Sequence, residues 1–157
     1  MATVDENSSI VDMLARNEEL IAELYSFYAG KFPEQHDFWA QLADDEMDHR
    51  NSIRAYSASK GSDDYFTEER FDRTILSTSL KYMREKIEEA EDEQFSHDDA
   101  LAIALAIETN IIERNFFKIF DDDPEAVKET LEKLSNDTGR HADVVRQAIA
   151  SNSKKRP

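Results

Sequence analysis

The stretch Trp39-Ala-Gln-Leu42-Ala-Asp-Asp-Glu46-Met-Asp-His49-Arg-Asn-Ser-Ile53-Arg-Ala-Tyr56 decides the fold class. Trp39, Leu42, Glu46, His49, Ile53 and Tyr56 follow one another at alternating steps of three and four, the spacing of one helical face. Upstream, Val11, Leu14, Glu18, Ile21, Tyr25 and Tyr28 repeat the same rhythm. Between the two stripes lies Gly30-Lys-Phe-Pro33. Gly30 suits the C-cap region of the first helix and Pro33 the first turn of the next. So short a connection predicts an antiparallel helical hairpin.

Downstream, residues 57–64 (SASKGSDD) form a polar break. Leu76, Leu80, Met83, Ile87 and Ala90 then mark an amphipathic helix whose outer face is crowded with Glu and Lys. Ser96 is placed to N-cap the next helix, with the stripe Leu101, Leu105, Glu108, Ile112, Asn115 and Ile119. The acidic run at 121–123 before Pro124 reads as one helix's stop and another's start, with negative charge at the positive end of the new helix. The last stripe is Val127, Leu131, Leu134, Thr138, His141, Val145 and Ala148, and SNSKKRP reads as a solvated tail.

Hairpins over 11–56 and 101–148 predict an all-α four-helix bundle. The connection between them, roughly forty residues, is too long for a simple turn. A helix of about 20 residues inside it would travel roughly 30 Å, the length of such a bundle. The expected architecture is therefore two antiparallel hairpins joined by a long crossover that contains an extra helix. One domain over residues 1–157 is expected, its core at about 10–150 and its two ends flexible tails.

Composition narrows the function. With 157 residues and only three glycines and three prolines, the chain lacks the turn signals of an all-β fold. The 39% hydrophobic content, with 10% aromatics, is enough for a packed core. Thirty-five acids against 19 bases leave a formal charge of −16, which repels phosphate backbones and anionic headgroups. Nucleic acid and membrane surfaces are therefore not expected partners. The absence of cysteine excludes disulfides, thiolate nucleophiles, iron–sulfur clusters and cysteine-ligated zinc. The polar residues 1–9 are unlike a secretory signal and no apolar run could span a bilayer, so a cytoplasmic protein is expected.

The chemistry lies on the stripes. Glu18, Glu46 and Glu108 each occupy an inward position near mid-helix, with large apolar residues a turn away on both sides. A lone ionised carboxylate there costs several kcal/mol, and three on three helices call for a shared counter-charge. Shifting the first face by one residue would turn Glu19 inward in place of Glu18. His49 and His141 lie on their own stripes, and His49 stands three residues after Glu46. Glu-x-x-His is the spacing by which helical bundles hold carboxylate-bridged iron or manganese pairs. The two hairpins also repeat weakly, Leu42-Ala-Asp-Asp-Glu46-Met-Asp-His49 aligning with Leu134-Ser-Asn-Asp-Thr138-Gly-Arg-His141. Thr138 then stands where a fourth carboxylate belongs, with Asp137 adjacent. Tyr25, Tyr28 and Trp39 read as core, and His36 and His97, near helix starts, as solvated.

In these residues the chain resembles the ferritin-like superfamily, in particular small rubrerythrin-related diiron bundles. Residues 18–29 resemble the family's first helix, 38–49 its second, 100–108 its third and 134–141 its fourth. The resemblance implies two metal ions, usually iron, with manganese or zinc as alternatives, that react with peroxide or dioxygen or are handled as stored iron. It implies that Glu46 bridges the ions, that Glu18 and His49 hold one, and that Glu108 and His141 hold the other. The additional acid of peroxidase-type relatives is replaced here by Ile111, and with no cysteine the rubredoxin module is absent, so turnover would need a separate electron donor. A homodimer is implied as well.

Three functions follow as expectations: a dinuclear iron oxidoreductase, a non-redox metal-binding or iron-handling protein, and a metal-free dimerising scaffold.

Overall fold

The computed structural model describes residues 8–58, 71–113 and 124–155, with side chains described for all of these except 56–58, 111–113 and 153–155. The described residues are helical apart from short turns and caps, and none lies in a strand. In order come α1 (Ile10–Lys31), a 3-10 turn (Pro33–Gln35), α2 (His36–Ala58), α3 (Arg73–Glu89), α4 (His97–Glu113) and α5 (Glu125–Lys155). The chain divides into two compact units, Met1–Asp92 and Glu93–Pro157.

In the first unit, α1 and α2 form the expected hairpin. Asp12 meets Arg54, Glu19 meets Arg50 and Tyr25 meets Trp39, so one index falls as the other rises and the helices are antiparallel. Ser9 caps α1 by accepting from the Asp12 N–H at 3.1 Å. The helix ends differently from expectation: Gly30 lies inside it, and Phe32 is the cap residue, its N–H donating to the Tyr28 carbonyl. Pro33 does open the next turn, where its missing N–H costs nothing.

The third helix runs parallel to α1. Arg73 donates to the Ser8 carbonyl, Ser79 to Asn17 and Lys31 to the Ala90 carbonyl, so here the two indices rise together. At 17 residues α3 is about 25 Å long and carries the chain from one end of α1 to the other. Asp72 starts it, accepting from the N–H groups of Thr74 and Ile75. Lys31 closes its far end, Nζ donating to the carbonyls of Ala90 and Asp92 at 2.6 and 2.5 Å, where the helix dipole favours a cation. Lying between two helices, α1 is buried on two faces: the expected one, and a second formed by Ile10, Met13, Asn17, Leu20 and Leu24.

The second unit is a hairpin of α4 and α5, in which Asn152 meets His97 and Asp98 while His141 meets Glu108, an antiparallel pairing. Ser96 N-caps α4 as expected, and reciprocally: its hydroxyl accepts from Asp99 N–H, and Asp99 accepts from Ser96 N–H. The buried face of α4 is Ala100, Leu101, Ala104, Ile107 and Glu108, with Leu105 only half-buried, because the small alanines rather than the leucine take the close approach. The expected tail is corrected through residue 155, since α5 continues to Lys155. The break at 57–64 falls partly, and the acidic run at 121–123 wholly, outside the described residues, as do Asn115 and Ile119 and the side chains of Tyr56, Ile111 and Ile112.

Candidate metal centre

Among the described residues, the first unit buries two glutamates and a histidine among apolar side chains, and the second one glutamate and a histidine. Glu18 is 3% exposed, Glu46 2% and His49 2% in the first unit, and Glu108 and His141 are fully buried in the second. Leu14, Ile21, Leu42 and Ile53 lie buried a turn away along α1 and α2. Helical periodicity turns each acid inward, and the cost of leaving an ionised carboxylate there is several kcal/mol.

The first unit gathers three donors. His49 Nδ1 stands 3.4 Å from Glu46 Oε2 and 3.9 Å from Glu18 Oε2. One ligand atom from each of the three residues lies within 4.8 Å of the others. Nitrogen–oxygen hydrogen bonds span about 2.7–3.2 Å. Ligand atoms sharing one divalent ion at about 2.1 Å stand roughly 3.0–3.4 Å apart. The spacing is therefore nearer to that of atoms surrounding a cation than to that of a closed hydrogen-bond triad. Two carboxylates and an imidazole suit iron, manganese or zinc, so the residues present fit a metal ion.

In the second unit, His141 Nδ1 lies 3.6 Å from Glu108 Oε1. The local design repeats: a glutamate on the first helix of a hairpin faces Nδ1 of a histidine on the second. The positions preceding the histidines by three match as well, Glu46 and Thr138 both being buried. Their chemistry does not match. Thr138 Oγ1 donates to the Leu134 carbonyl of its own helix at 2.9 Å. Asp137, the adjacent acid, is half-buried and pairs with Arg140 at 4.0 Å.

The choice between Glu18 and Glu19 as the inward residue is decided by what packs on α1. Glu19 turns aside to Arg50 Nη1 at 2.9 Å and Arg16 Nη1 at 3.1 Å. Partial burial opposes its ionisation, yet the hydrogen bonds and charge of the two arginines outweigh that and hold its carboxyl below the usual 4.5. Tyr25, Tyr28 and Trp39 pack as core, with Trp39 5.5 Å from the Tyr25 ring and 4.8 Å from that of Tyr28. His36 is exposed as expected. His97 is not: it is half-buried, its Nδ1 3.2 Å from Asn152 Nδ2, because the extended α5 covers it.

Two supporting pairs escaped the sequence reading. Asn17 is buried beside Glu18 in the chain and accepts from Ser79 Oγ at 2.7 Å. The Glu19–Arg50 bridge joins the residues that directly follow Glu18 and His49. The signal for Asn17 was the second apolar stripe of α1, in which it takes a core position. No described helix is long and apolar enough to cross a membrane. Comparison of the chain with protein-family models, curated proteins and solved structures finds no match.

Proposed function

We propose that this protein binds metal ions through its buried Glu and His side chains and, as the resemblance to diiron carboxylate proteins implies, uses an iron pair in reactions with peroxide or dioxygen. The observation that carries the proposal is the Glu18–Glu46–His49 set, three donors with ligand atoms within 4.8 Å in an apolar interior. Glu18, Glu46 and His49 would hold an ion in the first unit, and the resemblance assigns Glu108 and His141 to a second ion. Iron bound there would supply the electrons that reduce the oxidant. The protein's own part is to fix the donors on helices and exclude water with Leu14, Ile21, Leu42 and Ile53.

A second reading, metal binding without redox turnover, is favoured by Thr138. Its hydroxyl brings no charge, so a high-valent pair would be poorly compensated. Metal analysis of purified protein followed by peroxide addition to the ferrous form without air tests both readings. Near-stoichiometric iron and a new ligand-to-metal absorption band support the redox reading. Bound metal with no spectral response supports passive binding, and protein purified and reconstituted without metal uptake leaves only the scaffold.

A further inference from the structure

We infer that the outward face of α4 over residues 102–110 is a self-association surface, on which a second copy of this chain docks to form a weak, reversible dimer.

Helical geometry sets the face. At about 100° per residue, Ala100, Leu101, Ala104, Ile107 and Glu108 fall on one side of α4, where they are buried and Glu108 meets His141 of α5. The intervening positions fill an arc of about 160° on the other side. There Ala102 and Asn110 are exposed, and Ile103, Leu105, Ala106 and Thr109 are half-buried. Thr109 adds little polarity, because its hydroxyl donates to the Leu105 carbonyl of its own helix at 2.7 Å. The Asn110 amide is the polar group left on this strip.

The absence of charge sets the strip apart. Every other described helix exposes charged side chains: Arg16 and Glu23 on α1, Asp44 and Asp48 on α2, Lys81 and Glu85 on α3, Glu132 and Asp143 on α5. Between residues 100 and 110 of α4 the one charged side chain is Glu108, and it is buried. A helix that is apolar all round calls for cover on both sides.

Charge also selects the occupant. At a formal −16 the chain repels its own copies. Two of them can approach closely only where neither presents charge, and this strip meets that condition. A basic partner would be drawn to the acidic faces instead and gain nothing here. The Asn110 amide is both donor and acceptor, so it can pair with its own image across a twofold axis, the symmetry of a self-complementary contact. The strip is only about 13 Å long, whereas a stable interface buries roughly 800 Å² per partner. It supplies the apolar centre of a contact whose rim, with Asp99 exposed a turn before Ala102, is acidic on both copies. The association is therefore weak.

Sedimentation velocity of the full-length chain over a range of concentrations tests this. A monomer–dimer equilibrium is expected, with Kd on the order of 100 µM, the strength of a small transient contact. Raising NaCl from about 0.05 to 0.5 M should tighten it several-fold, because screening relieves the like-charge repulsion and leaves the apolar contact. Ile103→Glu, which places charge on the strip, should weaken dimerisation by about tenfold or more. Ala102→Glu, at an exposed position, replaces it if that variant does not fold. Gln147→Glu adds the same charge on the exposed face of α5 and should change Kd by less than about twofold. A chain that stays monomeric throughout, a dimer that loosens with salt, or α4 variants that dimerise as well as Gln147→Glu would overturn the inference. None of these residues is a candidate metal ligand, so the metal-binding reading stands or falls separately.

Discussion

Arg50 Nη1 donates to Glu19 Oε1 at 2.9 Å, and each residue directly follows a member of the buried set, Glu19 after Glu18 and Arg50 after His49. The half-buried bridge thus fixes the register of α1 against α2 at the level where Glu18 faces His49. Exposed ion pairs contribute little, but here Arg16 also reaches Glu19 and water is partly excluded. A double-mutant cycle of Glu19→Ala and Arg50→Ala should give a coupling of about 0.5–1 kcal/mol in urea unfolding. A coupling indistinguishable from zero would remove the bridge from the account of how the set is held.

Glu46 is kept inward at a cost to the folded state. Replacing it by leucine should raise the stability of the metal-free protein by about 1–3 kcal/mol, because an apolar side chain suits the site better than a buried acid among other acids. The same change should abolish metal uptake by the Glu18–Glu46–His49 set. Unfolding midpoints with and without added metal measure both effects. A Glu46→Leu variant that is less stable without metal and still binds it would remove the residue from the site.

The Asn17–Ser79 hydrogen bond joins α3 to α1, with Asn17 buried and Ser79 half-buried. Ser79→Ala should cost about 1–2 kcal/mol, since the buried amide oxygen loses its donor. Asn17→Leu combined with Ser79→Ala should recover to within about 1 kcal/mol of wild type, because both polar groups are then gone. Chemical denaturation of the two variants decides it; a double variant as damaged as the sum of the singles would show that the pair's role is shape rather than polarity.

Burial holds the His97 imidazole below its usual value of 6.5. The unfolded chain therefore takes up the proton at higher pH than the folded one. The stability contributed by the neutral ring is complete above about pH 6.5 and is lost as pH falls through the lower folded-state value. Between about pH 7.5 and 5, wild type should lose more stability than His97→Gln, read as the shift in urea midpoint. Equal losses would mean that the ring titrates alike in both states.

Much of the site was legible because helical periodicity is local. The alternating three-and-four spacing placed Glu46, His49, Glu108 and His141 on inward faces, and all are buried. It was less informative where neighbours compete for one face. Leu105 yields to the smaller Ala104 on α4, and His97 is covered by a stretch of α5 that reads as tail. Asn17 looked unremarkable because its reason for burial, Ser79, lies 62 residues away.

By itself the chain's pattern of residue types determined that it is helical, where the first hairpin turns, and which face most of the helices turn inward. A repeat of 3.6 residues per turn is a property of neighbours in sequence and needs no partner to be read. Only the tertiary structure decided that α3 lies parallel to α1, that Glu18 rather than Glu19 faces His49, and that the Thr138 hydroxyl serves its own helix. The first two outcomes depend on which surfaces meet across 31 to 65 residues of chain, and packing and electrostatics act on distance in space rather than along the sequence.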